Sequence, residues 1–123
     1  NPTMLRLNHL ALPVTDPEAS ARFWCGPLGF SPGRRAGDVR FLHDRAGFGL
    51  ALHPAAEATL PAPFQLGFRL GSVTEVEQVH DRLMRAGVEL SEPLTEEARL
   101  AFFRIRDPDG HELEFFWEEQ ADA

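Results

Sequence analysis

The sequence predicts an α+β fold in which one βαβββ unit occurs twice. Three observations carry this. The segment Leu7-Asn8-His9-Leu10-Ala11-Leu12-Pro13-Val14 near the start alternates in the manner of a strand, and so does His111 to Trp117 near the end. Between them the two halves of the chain align at a shift of 56 residues, with His9 falling on Gln65, Val14 on Leu70 and Asp16 on Ser72.

The elements follow in order. After the strand at Leu7 to Val14, Asp16 can cap a helix, Pro17 suits its first turn and Glu18 suits its dipole. That helix runs to about Cys25, ahead of Gly26-Pro27. A short strand is predicted near Phe30 to Arg34. Asp38 to His43 and Phe48 to His53 then form a hairpin around Asp44-Arg45-Ala46-Gly47. Residues 54–63, with three prolines, read as a linker. The second half repeats the plan, with a strand at Phe64 to Leu70 and a capping-box signature at Ser72-Val73-Thr74-Glu75. A helical stripe of Val76, Val79, Leu83 and Met84 ends at Ala86-Gly87. Val88 to Leu90 reads as a brief strand and Pro93 to Arg99 as a polar loop. Leu100 to Arg106 and His111 to Trp117 make a closing hairpin around Pro108-Asp109-Gly110. The expected organisation is a single domain over residues 4–123, built of modules at about 4–53 and 64–119. Asn1, Pro2 and Thr3 precede Met4 and take no part in this reading.

At 123 residues the chain can bury one sizeable core. No apolar run is long enough to span a bilayer and no leader pattern opens the sequence, so a cytoplasmic setting is expected. Cys25 is the sole cysteine and cannot form an internal disulfide, which agrees with a reducing compartment; it reads as a packed helix residue. The net charge of −7 argues against a nucleic-acid surface and is compatible with a cationic ligand. All 12 basic residues are arginine, and tyrosine is absent, which excludes a lysine Schiff base and a tyrosine general acid.

Strand alternation sorts the side chains into two faces. Leu10, Leu12 and Val14, Phe48, Leu50 and Leu52, Phe64, Leu66, Phe68 and Leu70, Phe103 and Ile105, and Leu113, Phe115 and Trp117 should pack on the helices. The opposite faces carry His9 and Ala11, Gly49, Ala51 and His53, Gln65, Gly67 and Arg69, Phe102, Arg104 and Arg106, and Glu112, Glu114 and Phe116. Such a mixture makes a poor core and a plausible ligand lining.

The repeated plan, the opening Asn8-His9-Leu10-Ala11-Leu12 and the closing Asp107-Pro108-Asp109-Gly110-His111-Glu112-Leu113-Glu114 resemble the vicinal oxygen chelate superfamily, which includes glyoxalases, extradiol dioxygenases, thiol transferases and bleomycin-resistance proteins. The resemblance covers nearly the whole chain. It implies a curved mixed sheet enclosing a cleft. In metal-dependent members it implies ligands from the first, fourth, fifth and eighth strands. Carried onto this sequence, these positions are His9, Ala51, Gln65 and Glu114. The fourth-strand carboxylate of glyoxalases is therefore missing, with His53 two residues on, and the usual fifth-strand histidine is a glutamine.

Two functions follow from the resemblance. One is a metal-dependent lyase, transferase or dioxygenase, in which His9, Gln65 and Glu114 hold Mn, Fe, Ni, Zn or Mg and two vicinal substrate oxygens reach the ion, with Glu114 counted as catalytic. The other is a metal-free protein of the bleomycin-resistance kind that sequesters a drug or other small molecule. A homodimer is expected in either case. His53, Arg69, Phe102, Arg104 and Phe116 are the expected substrate-binding residues. Plainer roles stand beside these. Glu114 can pair with Arg69 or Arg104, those arginines can form internal salt bridges to Glu112 or Glu114, and Gln65 can act as a hydrogen-bonding side chain. His53 also reads as an exposed loop residue. His43 and His80 read as surface residues and His111 as a residue serving its hairpin. Phe23 and Trp24 read as core or interface, and Trp117 as core.

Overall fold

The computed structural model describes residues 3–120. The two residues before them and the last three of the expected 4–123 domain lie outside the described residues. The chain divides into two compact units, one ending at Ala58 and the other beginning at Thr59. The division falls inside the stretch read as a linker, although Ala58 itself is buried.

Unit 1 contains β1 (His9–Val14), α1 (Pro17–Cys25), β2 (Ser31–Ala36), β3 (Val39–His43) and β4 (Gly49–Pro54). Its sheet has the order β1-β4-β3-β2, with β1 parallel to β4 and the other pairs antiparallel. Helix α1 starts where its cap chemistry allows. The Asp16 carboxylate accepts from the backbone N–H groups of Glu18 and Ala19 at 3.1 and 3.2 Å. Leu12, Val14, Trp24, Leu42, Leu50 and Leu52 are almost wholly buried and form the core of this unit. Glu18 ties α1 to the sheet through Arg40 at 2.7 Å and Arg35 at 3.1 Å.

Unit 2 contains β5 (Gln65–Arg69), α2 (Val73–Arg85), β6 (Leu90–Glu97), β7 (Leu100–Arg106) and β8 (Glu112–Glu118), with the sheet order β5-β8-β7-β6. Ser72 caps α2 through the Glu75 N–H at 3.1 Å. The Glu75 carboxylate reaches the N–H of Gly71, one residue before the cap, and not that of Ser72 as a capping box would have it. The helix ends in a Schellman motif. Gly87 has φ +82°, its N–H bonds to the Met84 carbonyl, and the Val88 N–H bonds to the Leu83 carbonyl. Phe103 stacks on Phe115, and Phe115 on Phe68, with centroids 5.0 Å apart in both pairs. Val76, Leu83, Ile105 and Leu113 complete this core.

Both units are thus βαβββ, an α+β plan, and neither sheet closes on itself. β5 begins at residue 65 where β1 begins at residue 9, and α2 at 73 where α1 begins at 17, so the offset of 56 holds for both. By β8 and β4, which begin at 112 and 49, it has grown to 63. The growth comes from a longer helix and from longer β6 and β7 strands. The first of these strands is the main departure from the expected elements. β6 spans eight residues where a brief strand and a polar loop were predicted. It is an edge strand, and bulges in its pairing with β7 accommodate Pro93. Two smaller departures concern His80, whose half-buried ring stands edge-on to Phe103 at 5.3 Å, and Trp117, which is only half-buried. No helix among the described residues is long and apolar enough to cross a membrane.

Candidate functional site

The polar face of unit 2 is built by register. Across β5, β8 and β7 it reads as three rows. Gln65 lies opposite Glu112, and Glu112 opposite Arg106. Gly67 lies opposite Glu114, and Glu114 opposite Arg104. Arg69 lies opposite Phe116, and Phe116 opposite Phe102. The alternate residues Ala101, Phe103, Ile105, Leu113 and Phe115 are buried on the helix side. The pleat therefore presents Gln65, Arg69, Phe102, Arg104, Glu114 and Phe116 on one surface.

Its charges are already arranged in pairs. Arg104 donates to Oε2 of Glu114 from Nε at 2.9 Å and from a terminal nitrogen at 2.8 Å. The Arg104 Nε also lies 3.9 Å from Oε1 of Glu112. The same Glu112 oxygen accepts from the Gln65 amide nitrogen at 2.7 Å. Arg69 reaches the Glu118 carboxylate at 3.5 Å and bonds to the Glu118 carbonyl. Guanidinium groups lie over two rings, Arg104 over Phe102 at 5.1 Å and Arg69 over Phe116 at 5.7 Å. Gly67 lets the Phe116 ring approach the β5 backbone closely, since a Cβ there would already touch Cε1 of Phe116 at 3.4 Å.

At the Gln65 end the face borders a recess of about 400 Å³, lined by Thr59, Phe64, Gln65, Arg106, His111 and Glu112 among others. A buried pair stands at its margin. The Asp107 and His111 side chains are 0% and 2% exposed, and Oδ2 of Asp107 lies 2.8 Å from Nδ1 of His111. The other Asp107 oxygen accepts from the N–H groups of Asp109 and His111 at 3.0 and 2.8 Å. His111 does serve its hairpin, but from the interior. Sequence reasoning placed Arg106 and Glu112 on this face without counting them among the site residues, and it read Asp107 only as part of a turn. The Asp-Pro-Asp-Gly-His spacing was the available signal for the buried pair, because a turn with glycine at φ +87° returns the fifth residue beside the first.

Unit 1 holds the remaining predicted residues. His9 is exposed on β1, with Nδ1 3.3 Å from Oδ1 of Asn8. His53 is exposed near the end of β4, opposite Pro13. His9 lies opposite Gly49, so the two histidines sit at opposite ends of the β1–β4 pair, about 13 Å apart along it. Ala51 is buried. The two units share this register. His9 opposite Gly49 matches Gln65 opposite Glu112, and Ala11 opposite Ala51 matches Gly67 opposite Glu114. One strand further in, Phe41 faces Ala51 where Arg104 faces Glu114.

Residues 6–115 match the family model of the glyoxalase/bleomycin resistance protein/dioxygenase superfamily. The chain belongs to that superfamily. Among solved structures, a glyoxalase/bleomycin resistance protein/dioxygenase from Nocardioides is 22% identical, with a TM-score of 0.80 over 99% of this chain and 89% of that one. A possible glyoxalase from Bacillus cereus is 27% identical, with a TM-score of 0.75 over 91% and 98%. A virulence protein from Salmonella typhimurium is 26% identical, with a TM-score of 0.74 over 94% and 98%. No curated protein matches the sequence.

Metal-dependent members of this superfamily need donors free to take an ion, and the donors of unit 2 are engaged with neighbouring side chains. Among the described residues, no three His, Cys, Asp or Glu side chains are grouped to hold an ion. Glu114 is engaged by a permanent cation, and the Gln65 amide points its nitrogen at Glu112. What the face can do is offer flat ring surfaces, guanidinium N–H donors and carboxylate acceptors to a small molecule.

Proposed function

We propose that this superfamily member is a small-molecule-binding protein that works without a metal ion, with the β5–β8–β7 face of unit 2 as its ligand surface. The observation that carries this reading is the Arg104–Glu114 pair. A cation placed on Glu114 about 4 Å from the guanidinium would meet a repulsion of about 4 kcal/mol per unit of its charge. Phe102 and Phe116, opposite one another across the β7–β8 ladder, offer aromatic surface for stacking. A ligand with a flat apolar part and polar groups at its edge suits such a surface. The net charge of −7 favours a cationic one, as for drugs of the bleomycin kind.

The working form is a homodimer. Met4, Leu5 and Leu7 are 83%, 94% and 93% exposed, an apolar segment of the sort that association covers. Light scattering at micromolar concentration reads this directly, and a monomer mass would refute it. The binding reading is tested by desalting the protein after loading with Mn, Fe(II), Ni, Zn or Mg, and by a survival assay against a panel of antibiotics. Retention of about one ion per subunit would sink the metal-free reading. The absence of protection by the expressed protein would remove its drug version.

A second reading, a metal-dependent lyase, transferase or dioxygenase, is favoured by His9. Its imidazole is exposed on β1 at the family's first ligand position. The 27% identical Bacillus cereus structure, named a possible glyoxalase, points the same way. In that reading Glu114 must first part from Arg104. Metal retention that falls on His9→Ala and on Glu114→Ala would support it.

A further inference from the structure

We propose that Arg104 is the built-in cation of this face and the residue that closes Glu114 to divalent metal ions. The proposal rests on the metal-free reading and deepens it by naming the group responsible.

Three independent observations support it. The first is geometry. Two guanidinium N–H groups converge on one Glu114 oxygen, at 2.9 and 2.8 Å, and the same Nε lies 3.9 Å from Glu112. Arg104 thus stands where it serves both carboxylates of the face. Its charge cannot be removed by deprotonation. The side chain is also held in place, with Glu114 directly opposite across the β7–β8 ladder and the Phe102 ring 5.1 Å beneath.

The second observation is the state of the other donor. The Gln65 amide gives its nitrogen to Glu112 at 2.7 Å. That is the orientation expected where the neighbouring groups are anions, and a ligated cation would call for the amide oxygen instead. The third comes from the shared register of the two units. The position opposite Glu114 is Arg104, whereas the equivalent position opposite Ala51 is Phe41. A carboxylate faces an arginine in one unit, and an alanine faces an aromatic ring in the other. The arginine accompanies the acid it neutralises.

Removing the guanidinium leaves Glu112 and Glu114, two residues apart on one face of β8, with a glutamine beside them. Three oxygen-bearing side chains with no guanidinium left on Glu114 suit a hard divalent ion such as Mn(II). Binding of Mn(II) is read from the loss of the free-ion electron paramagnetic resonance signal, on metal-stripped full-length protein. Arg104→Gln and Arg104→Met both remove the charge, and Arg104→Lys keeps it. Arg104 lies on the face away from the buried Phe103 and Ile105, so its replacement leaves the helix-side core in place. At least tenfold tighter Mn(II) binding is expected for R104Q and R104M than for the natural chain. R104K should behave like the natural chain, and adding Glu114→Gln to R104Q should abolish the gain. Equal and negligible binding by the natural chain and by either folded neutral variant overturns the proposal while leaving the metal-free reading intact. Tight binding by the natural chain itself overturns both.

Discussion

The Asp107 carboxylate should hold the closing hairpin together, and Asp107→Ala tests this. The side chain is fully buried and accepts three hydrogen bonds, from the N–H groups of Asp109 and His111 and from Nδ1 of His111, at 3.0, 2.8 and 2.8 Å. A carboxylate only accepts, so the ring proton sits on Nδ1. Truncation to alanine strips the partner from two donors inside the fold and one near its rim. Hydrogen bonds to a charged group contribute about 1.5–3 kcal/mol each, and breaking a buried pair costs about 3–5 kcal/mol. The Asp109 amide sits at the outer end of the turn and can regain water, so the lower sum applies, about 3–5 kcal/mol in total. For a chain of this size that is a fall of about 12–20 °C in the melting midpoint, read by circular dichroism. Asp107→Asn keeps an oxygen for the two backbone donors and lets the imidazole turn its other tautomer toward the new amide. It should cost about 1–2 kcal/mol. An Asp107→Ala variant within about 1 kcal/mol of the natural chain would refute this account of the turn.

Ser20 is wholly buried in α1, and its hydroxyl has no hydrogen-bond partner among the described residues, so Ser20→Ala should stabilise the protein by about 1 kcal/mol in urea unfolding. Phe103 is an end ring of the Phe68–Phe115–Phe103 column, wholly buried, and Phe103→Ala should cost about 3–5 kcal/mol in the same measurement. Glu77 and Glu96 share a hydrogen bond that raises the Glu77 pKa above its ordinary 4.5, with the charge of Glu96 adding to the effect. The folded state therefore holds that proton more tightly, and the stability it contributes is present in acid and lost as pH rises through the raised pKa. Glu77→Gln should accordingly stabilise the protein at neutral pH and lose that advantage in acid. Glu18 has the opposite sign. The Arg40 hydrogen bond lowers its pKa, so its contribution is present above 4.5 and disappears as pH falls through the lowered value. A pH series of melting midpoints for Glu18→Gln against the natural chain should converge at the acid end.

Most of the fold was legible because its punctuation is local chemistry. Asp16 and Ser72 start helices with their own side chains, Gly87 ends one with a positive φ, and the closing hairpin turns on Asp107 and Gly110. β6 was not legible because an edge strand satisfies few of the usual cues. It is mostly polar, with Leu90 and Leu94 its only large apolar residues, contains a proline and pairs through bulges, each of which reads as loop in one dimension. His80 was misread for a simpler reason. It lies four residues after Val76 and three before Leu83, on the buried stripe of α2, and its ring packs on Phe103 although its type suggests the surface. Within the candidate site, alternation alone placed Arg104 and Glu114 on one face. Their pairing was not legible, since it depends on the register of β7 against β8, and the sequence allowed Glu112 equally well.

That register also bears on how the ligand positions implied by the resemblance to metal-dependent members are distributed. Each unit presents one position on its first strand and one on its last, held at equivalent points of the parallel pair. Unit 1 keeps the histidine and replaces the acid by Ala51, which is buried. Unit 2 keeps the acid and replaces the histidine by Gln65. Neither unit retains both. An acid left without its metal is a cost in a surface only partly exposed, because desolvation penalises the charge unless a partner offsets it. Unit 1 avoids that cost by losing the carboxylate, and its facing position, Phe41, is aromatic. Unit 2 keeps the carboxylate and supplies Arg104 at the facing position, with Gln65 turned to support the second acid. The two solutions differ in what they leave behind for a ligand. Unit 1 offers an exposed imidazole on β1 beside a glycine and an alanine on β4. Unit 2 offers a guanidinium fixed in position, with N–H donors beyond those spent on Glu114. A face of that kind recognises ligand oxygens by hydrogen bonding, which is why Arg104 is the residue whose charge should decide between a metal and an organic ligand.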